Sequence, residues 1–328
     1  DRLPRPADKR LAVRVTPDAL RHVRAGHPWV YDHSVVSVSH DGAPGDLAVI
    51  FDDDRKFAAI ALWDPTSPIR LKVLHRGRPT TVDRAFWAGR LATALERRAP
   101  LVAQGDTTGY RCVHGENDGM PGFVLDRYDR TLVLKLYSAA WIPHLATIVP
   151  VLDEMFHPDS LVLRLARNIP TEVLHGLEEG DALIGVSPSD PVLFQECGLT
   201  FEADVVHGQK TGHFLDQRDN RRFVGSQSEG ASVLDLFAST GGFTVHAAAG
   251  GATDITASSA MDHRQPKVPP IQAPKGVPST EATDQPRKTK VMARPLCAGG
   301  TSMPMHAAAW GVYAAAASMP NTRQPSRL

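Results

Sequence analysis

Residues 233–245 (VLDLFASTGGFTV) combine an apolar run, a Gly-Gly pair and a segment of helical composition. The run from Val233 to Ala238 predicts a strand buried on both faces, as in a parallel sheet. Gly241 and Gly242 would let the backbone turn tightly and approach a ligand, with the first amides of the next helix facing the same crevice. The pattern favours a nucleotide-type cofactor site with Asp235 inside the strand. The alternative is a plain strand, loop and helix whose glycines serve packing.

The upstream run 208–222 (GQKTGHFLDQRDNRR) is dense in polar side chains that bind zwitterions. Asp216, Gln217 and Arg218 are predicted to begin a helix. A carboxylate and an amide can bind an ammonium group, and an arginine can bind a carboxylate. The alternative is a solvated helix start with an Asp cap.

Composition excludes several classes. The 328 residues are 42% hydrophobic with a formal net charge of zero, so global charge does not indicate a nucleic-acid binder, and any such surface must be local. No apolar run approaches the roughly 20 residues of a membrane helix, and we expect a cytoplasmic location. Three cysteines, Cys112, Cys197 and Cys297, lack metal-ligand spacing and argue against a disulfide framework or a zinc site.

The elements that must position these residues fall into four segments. Residues 10–76 read as a β-rich module, with alternating strands at 11–15, 47–51 and 69–74 and a short helix at 17–24, which suggests a small barrel. Residues 80–197 predict an α+β domain, in which a helix over 84–98 is ended by Pro100 and is followed by a hairpin around 129–130, a helix from Pro143 to Met155, and two strands.

A third unit spans 198–256. The last segment, 257–328, is rich in proline and methionine and has two leucines and no phenylalanine, so we expect it to be irregular or disordered.

Four motifs together resemble one family. They are HPWV at 27–30, NDGMPGFVLDRY at 117–128, QKTGHFLDQR at 209–218 and DLFASTGGF at 235–243. In this order they resemble the bacterial 23S ribosomal RNA large subunit methyltransferase I family, S-adenosylmethionine-dependent cytosine carbon-5 methyltransferases. The resemblance covers residues 10 to about 256. It implies an α/β chain with a PUA-like barrel, a middle α+β domain and a Rossmann-like methyltransferase domain, here incomplete.

The resemblance also implies site residues and partners. The cofactor would be S-adenosylmethionine, and the RNA partner would be ribosomal RNA. Residues implied to surround the cofactor are Lys210, Thr211, Phe214, Asp216, Gln217 and Arg218, and those implied to form its floor are Asp235, Ala238, Thr240, Gly241 and Gly242.

Two clusters in the first half of the chain are open to more than one interpretation. The module around Trp29 would contact RNA, although Trp29 beside Pro28 could instead be a core aromatic. His114, Glu116 and Asp118 suggest a metal site or, more simply, a solvated turn.

The chain departs from this family after residue 256. Methylation at carbon 5 requires a cysteine nucleophile, which the family places after an Asp-Pro-Pro motif that this sequence lacks. Cys297 matches neither the strand nor the loop, so no catalytic residue is assigned. Residues 257–260 (ASSA) stand where an acidic residue would hold the ribose, with Asp254 too early and Asp262 too late.

We therefore expect a methyltransferase by descent that is inactive and binds the cofactor weakly or not at all. The alternatives are an RNA-binding module that keeps only the PUA-like function, or a non-functional product. A shifted reading frame downstream of codon 256 would explain the change in composition.

Overall fold

A computed structural model describes residues 3–258 and 312–315. The chain divides into two compact units, one ending at Leu215 and the other beginning at Asp216. The predicted domain limits at 76/80 and 197/198 do not coincide with this division. The α/β fold class with a β-rich start is confirmed.

The first unit opens with a six-stranded sheet. Its order is β2-β6-β5-β4-β1-β3, with β1 and β4 parallel and the other pairs antiparallel. The strands are β1 (Leu11–Val15), β2 (Trp29–Tyr31), β3 (Val35–Val38), β4 (Leu47–Phe51), β5 (Phe57–Trp63) and β6 (Ile69–Arg76). Helix α1 (Pro17–Arg24) is capped by Thr16, whose side chain accepts a hydrogen bond from the amide of Ala19.

The second sheet of this unit is five-stranded and mixed, in the order β11-β10-β9-β8-β7. Its elements are α2 (Arg84–Val102), β7 (Gly109–His114), β8 (Phe123–Tyr128), β9 (Thr131–Leu136), α3 (Leu145–Phe156), β10 (Ser160–Leu165) and β11 (Ala182–Gly185). A separate hairpin of β12 (Val192–Glu196) and β13 (Leu199–Ala203) follows. Strands β7 and β11, at the two edges of the five-stranded sheet, were not predicted from the sequence.

Two helix boundaries also differ from expectation. Helix α2 continues past Pro100 to Val102. Pro100 sits in the last turn and removes one helical hydrogen bond, while the amide of Ala103 still donates to Ala99 at 2.9 Å, so the end of the helix tolerates it. Helix α3 begins at Leu145, because Pro143 lies in a preceding 3-10 segment.

The two sheets of the first unit share one hydrophobic core. Leu62 and Leu74 of the first sheet pack in the same cluster as Trp87 of α2 and Leu134 of β9. A second cluster, around Val13 and Ile50, lies within the first sheet. The predicted first and middle domains are therefore packed together rather than joined by a free linker.

The second unit is a small α/β fragment. It contains α4 (Arg218–Ser226), β14 (Ser232–Leu236), α5 (Gly242–Ala249) and β15 (Asp254–Ser258), with β14 and β15 parallel. A strand β16 (Val312–Ala315) pairs antiparallel with β14. The remainder of the predicted irregular tail lies outside the described residues, as does Cys297.

The expectation that β14 is buried on both faces is wrong. Val233 and Asp235 are buried, whereas Leu234 between them is 36% exposed. Strand β14 also ends at Leu236, two residues before the predicted end, because Phe237 and Ser239 leave the extended region of backbone conformation.

Candidate cofactor-binding site

The loop between β14 and α5 has an unusual backbone. Phe237, Ser239 and Gly241 all have positive φ angles, of 63°, 52° and 74°. Such angles are strained for residues other than glycine, most of all for an aromatic, and strain of this kind concentrates at functional sites. Phe237 is nevertheless 54% exposed, so core packing is not what holds it there. Its amide instead donates to Ser258 at 2.8 Å.

Asp235 fixes the start of α5. Its carboxylate Oδ2 accepts from the Thr244 hydroxyl at 2.8 Å and from the Thr244 amide at 3.2 Å. Burial raises the pKa of Asp235, and the two donors of Thr244 only partly oppose that shift. The buried carboxyl of Asp235 thus links β14 to the first turn of α5, beside the loop that connects them.

The two glycines answer different constraints. A Cβ atom at Gly241 would meet nothing within 4 Å, so this residue serves the left-handed turn and leaves open space beside it. A Cβ at Gly242 would lie 2.7 Å from Cδ of Arg221, which is buried on α4. Packing against Arg221 therefore gives a reason for Gly242, and the open space beside Gly241 is compatible with close approach of a ligand. A cofactor role for either glycine stays a prediction.

The predicted helix start at 216–218 is confirmed as a 3-10 turn leading into α4. Its polar side chains make local contacts. Gln217 accepts from Asn220 at 2.9 Å, and Arg218 pairs with the exposed carboxylate of Asp219 at 2.9 Å. The first contact is partly buried, whereas Asp219 is exposed, so a ligand carboxylate could replace Asp219 as the partner of Arg218.

Strand β15 lies beside β14 in parallel register, with Leu236 opposite Ser258. The carboxyl ends of parallel strands form the edge where open α/β sheets bind ligands. At that edge β15 ends in Ala257 and Ser258, whereas Asp254 begins the strand about 13 Å away at the opposite end. The expected acidic residue for a ribose is thus missing from the end of β15.

Three predicted cofactor residues belong to the first unit. Nζ of Lys210 lies 4.3 Å from the ring centre of Phe214, a cation–π contact. The hydroxyl of Thr211 is buried and donates to Asp126 at 2.6 Å. It also lies 3.0 Å from the hydroxyl of Tyr128. Thr211 therefore anchors its loop to β8, and a cofactor role for its side chain stays a prediction.

Sequence reasoning missed Asp126 and Tyr128 as parts of this anchor. Asp126 is completely buried and forms a two-pronged ion pair with Arg111, at 2.8 and 3.0 Å. The sequence does carry a signal, because the carboxylate of Asp126 follows three apolar residues in a strand of the motif at 117–128, and a charged side chain is seldom buried without a partner.

The turn at 114–118 carries no metal cluster among the described residues. Asp118 instead accepts from Arg97 and Arg98 at 2.9 and 2.6 Å and from the amide of His114. Glu116 accepts from the indole of Trp29 at 3.0 Å. Trp29 is half-buried and is bonded to the turn between β7 and β8, and contact of this module with RNA stays a prediction.

Two segments of the chain match known protein families. The family profile of the PUA-like domain matches residues 13–76, and that of the S-adenosylmethionine-dependent methyltransferase matches residues 182–266. Among solved structures, a chain described as a SAM-dependent methyltransferase from Streptococcus mutans has a TM-score of 0.63 at 19% identity, covering 75% of this chain and 62% of its own. Another methyltransferase, complexed with SAH, gives 0.65 at 19% identity, covering the same shares.

Two curated relatives are similar in sequence. A ribosomal RNA large subunit methyltransferase of Deinococcus radiodurans is 50% identical over 259 residues, which are 77% of this chain and 64% of the relative. Ribosomal RNA large subunit methyltransferase I of Pseudoalteromonas translucida is 35% identical over 237 residues, 72% of this chain and 59% of the relative. The chain thus spans about three fifths of the length of these relatives.

The chain thus combines a PUA-like sheet with the first strand, turn and helix of a domain that matches the S-adenosylmethionine-dependent methyltransferases. Sequence identity narrows the class further. In its matching part the chain belongs to the family of the bacterial ribosomal RNA large subunit methyltransferases. Within the described residues no helix is long and apolar enough to cross a membrane.

Proposed function

We propose that this chain binds ribosomal RNA through its first unit and contributes part of an S-adenosylmethionine site in its second. The observation that carries the cofactor half is the loop 237–241, with three left-handed residues directly before α5. Such a loop aims backbone amides at a ligand, and the first turn of the helix adds its own donors and a positive dipole end. The carboxylate of a methionine moiety is a group that such donors hold.

In this proposal the residues of the second unit have distinct roles. Ala238, Thr240 and Gly241 lie in the loop. The amides of Ala238 and Gly241 already donate to Ser258 and Ala238, at 3.3 and 2.7 Å, so the backbone donors for a ligand would come from the rest of the loop and the first turn of α5. Asp235 keeps the loop and the helix in place through Thr244. Asp216, Gln217 and Arg218 supply exchangeable side chains at the start of α4. When bound, the cofactor supplies an electrophilic methyl group. The missing acid at the end of β15 weakens the ribose half of the site, so we expect low affinity.

We propose further that these 328 residues do not transfer a methyl group by themselves. Attack on carbon 6 of a cytosine requires a thiolate. Cys112 is fully buried, and burial raises the pKa of its thiol far above the usual range, so it stays protonated. Cys197 lies at the turn between β12 and β13, in the first unit. The sequence contains no Asp-Pro-Pro motif to hold the base.

The proposal is tested with the full chain, ribosomal RNA and S-adenosylmethionine labelled in the methyl group. We expect salt-dependent RNA binding, weak cofactor binding by calorimetry, and no label in the RNA. Label recovered in cytosine would overturn the inactivity. Tight cofactor binding would show that the ribose contacts come from elsewhere in the chain.

The second candidate is an RNA-binding protein with no cofactor function. The observation that favours it is the neutral end of β15, since a site that cannot hold the ribose hydroxyls discards most of the cofactor's binding energy. Calorimetry separates the two. Heat of S-adenosylmethionine binding that disappears when Asp235 is replaced by alanine supports the first candidate, and no heat with the unaltered chain supports the second.

A further inference from the structure

A cleft of about 410 Å³ lies in the first unit, where the first sheet meets α2 and the turn after β7. Its walls come from four places, one of which is the segment between α1 and β2 with Gly26 and Pro28. The end of β6 contributes His75 and Arg76, α2 contributes Arg90, and the 3-10 turn contributes Asn117 and Gly119. Asn117 and Gly119 belong to the motif at 117–128, whereas His75, Arg76 and Arg90 lie in none of the four motifs.

Arg90 is held in one orientation inside this cleft. One of its terminal nitrogens, Nη2, donates to the carbonyl of Leu74, and the guanidinium lies 5.1 Å from the ring centre of Phe86. The other, Nη1, lies 2.5 Å from where a Cβ of Gly119 would be, so a side chain at that position would displace it. Holding the fork in advance lowers the entropy cost of binding a ligand.

Positive charge accumulates around Arg90. Burial lowers its pKa, and the neighbouring guanidiniums of Arg76 and Arg97 lower it further. Arg97 has a partner in Asp118, whereas no carboxylate lies within ion-pair distance of Arg76 or Arg90 in the described part of the chain. Guanidiniums remain charged at neutral pH, so two unneutralised cations share this small space.

One carboxylate also faces the cleft, that of Glu116. Its Oε1 already accepts from the indole nitrogen of Trp29 and from the amide of Gly122, at 3.0 and 3.1 Å. These neutral donors hold the carboxylate in place without removing its charge, and two guanidiniums against one carboxylate leave one positive charge in excess. The cleft therefore retains a net preference for an anion.

We infer that this cleft binds a phosphate group of the RNA backbone, held by the guanidiniums of Arg76 and Arg90. Arginine is the side chain best matched to phosphate oxygens, and a cleft of this volume admits one phosphate with its sugar. The inference rests on the proposed RNA-binding function and places one of its contacts between the PUA-like sheet and α2. The same chemistry would admit a free phosphate or mononucleotide, which the experiment separates.

The test measures binding of a fluorescein-labelled ribosomal RNA stem-loop to the full chain by anisotropy, over a series of salt concentrations. The variants are Arg76→Ala, Arg90→Ala and Asn117→Asp. Asn117→Asp is nearly isosteric and adds a negative charge to the wall, and it keeps the test decisive if Arg90→Ala fails to fold. Arg84→Ala is the matched control, because Arg84 lies on the same helix and pairs with Glu154 on the surface.

We expect each cleft variant to raise Kd about tenfold at low salt, as for loss of a charge-assisted contact. We expect the slope of log Kd against log salt to fall by about 1 for the arginine variants. The Kd of Arg84→Ala should stay within about twofold of that of the unaltered chain, because an exposed ion pair contributes little. Cleft variants that bind like the unaltered chain at every salt concentration would overturn the inference and leave the proposed RNA binding intact.

Two further outcomes separate the remaining cases. If the unaltered chain binds no RNA, the proposed function fails on its own account. If calorimetry then detects inorganic phosphate or uridine monophosphate bound by the unaltered chain and lost in Arg76→Ala, the cleft is a site for a free phosphate and the RNA assignment is wrong. If polyglutamate displaces the labelled RNA and phosphate does not, the assignment of the cleft to an RNA phosphate is also wrong, and an acidic peptide is its ligand.

Discussion

Replacement of Asp64 by asparagine should lower the free energy of unfolding of the first unit by several kcal/mol, although the two side chains are almost the same size. Asp64 and Lys72 are 1% and 5% exposed, and their charged atoms lie 3.0 Å apart. The carboxylate also accepts from Ser138 at 2.6 Å and from Thr66 at 2.7 Å, so it links the first sheet to the segment before α3. The substitution leaves the Lys72 ammonium buried without a counter-charge.

The expected loss follows from that geometry. Breaking a buried ion pair by removing one partner costs about 3–5 kcal/mol. Lys72→Met should cost less, about 2 kcal/mol, because Ser138 and Thr66 still hold the carboxylate of Asp64. The double variant removes both charges and should lie within about 2 kcal/mol of the unaltered chain. The cycle thus predicts a coupling energy of at least about 2 kcal/mol.

Urea unfolding at pH 7, followed by tryptophan fluorescence, measures all four proteins. Trp63 precedes Asp64 and Trp141 follows Ser138 by three residues, so both report on this contact. A loss below about 1 kcal/mol for Asp64→Asn, or additive single variants, would refute the reasoning, since surface pairs behave in that way.

The same pair predicts a pH dependence. Burial alone would raise the pKa of Asp64, but Lys72, Ser138 and Thr66 outweigh it and hold the pKa below its ordinary value of 3.8. A carboxyl with a lowered pKa contributes stability above its unfolded pKa, and that stability disappears as the pH falls through the folded pKa. The unaltered chain should therefore lose more stability than Asp64→Asn as the pH falls below about 4.

Further predictions concern the anchors of the two units. Thr211→Val should cost about 1–3 kcal/mol in thermal unfolding by removing the donor to a buried carboxylate, and Thr211→Ser should restore most of it. Gly242→Ala should cost about 1–3 kcal/mol, because its Cβ would lie 2.7 Å from Arg221. Gly241→Ala should cost about 1–2 kcal/mol, because its backbone is left-handed. A urea midpoint that either substitution leaves unchanged would contradict the reason given for that glycine. Burial lowers the pKa of His144, so stability should fall as the pH drops below about 6.5 and His144→Gln should flatten that curve.

Local periodicity predicted the elements that have one face in a core. The bounds of β1 and α1 follow from the sequence because alternate residues of β1 are buried and because Thr16 caps α1 ahead of Pro17. Strands β7 and β11 were not predicted and lie at sheet edges, where β11 has four residues of intermediate or greater exposure. The interior strand β5 was not predicted either, because it is buried at nearly every position and has no alternation. An edge strand takes its conformation from one neighbour, which no local pattern reveals.

The candidate site was predictable in its positions and less so in its roles. The turn at 241, the carboxylate in β14 and the helix start at 216–218 all stand where the motifs indicated. Their partners come from contacts distant in sequence. The bond from Thr211 to Asp126 spans 85 residues, and no spacing rule relates them. A motif therefore identifies which residues matter before it can say what each one touches.

The Gly-Gly pair shows why a short motif supports two interpretations at once. Gly242 is needed because α4 and α5 approach closely, a requirement that the fold imposes with or without a ligand. Gly241 has open space beside it, and its neighbours Phe237 and Ser239 have left-handed backbones that packing does not explain. Strain without a packing reason is what a bound ligand can offset. Cofactor addition should therefore raise the stability of the second unit through the loop. Gly242→Ala, which disturbs the packing, should lower the stability of the unit without abolishing the increase that the cofactor produces.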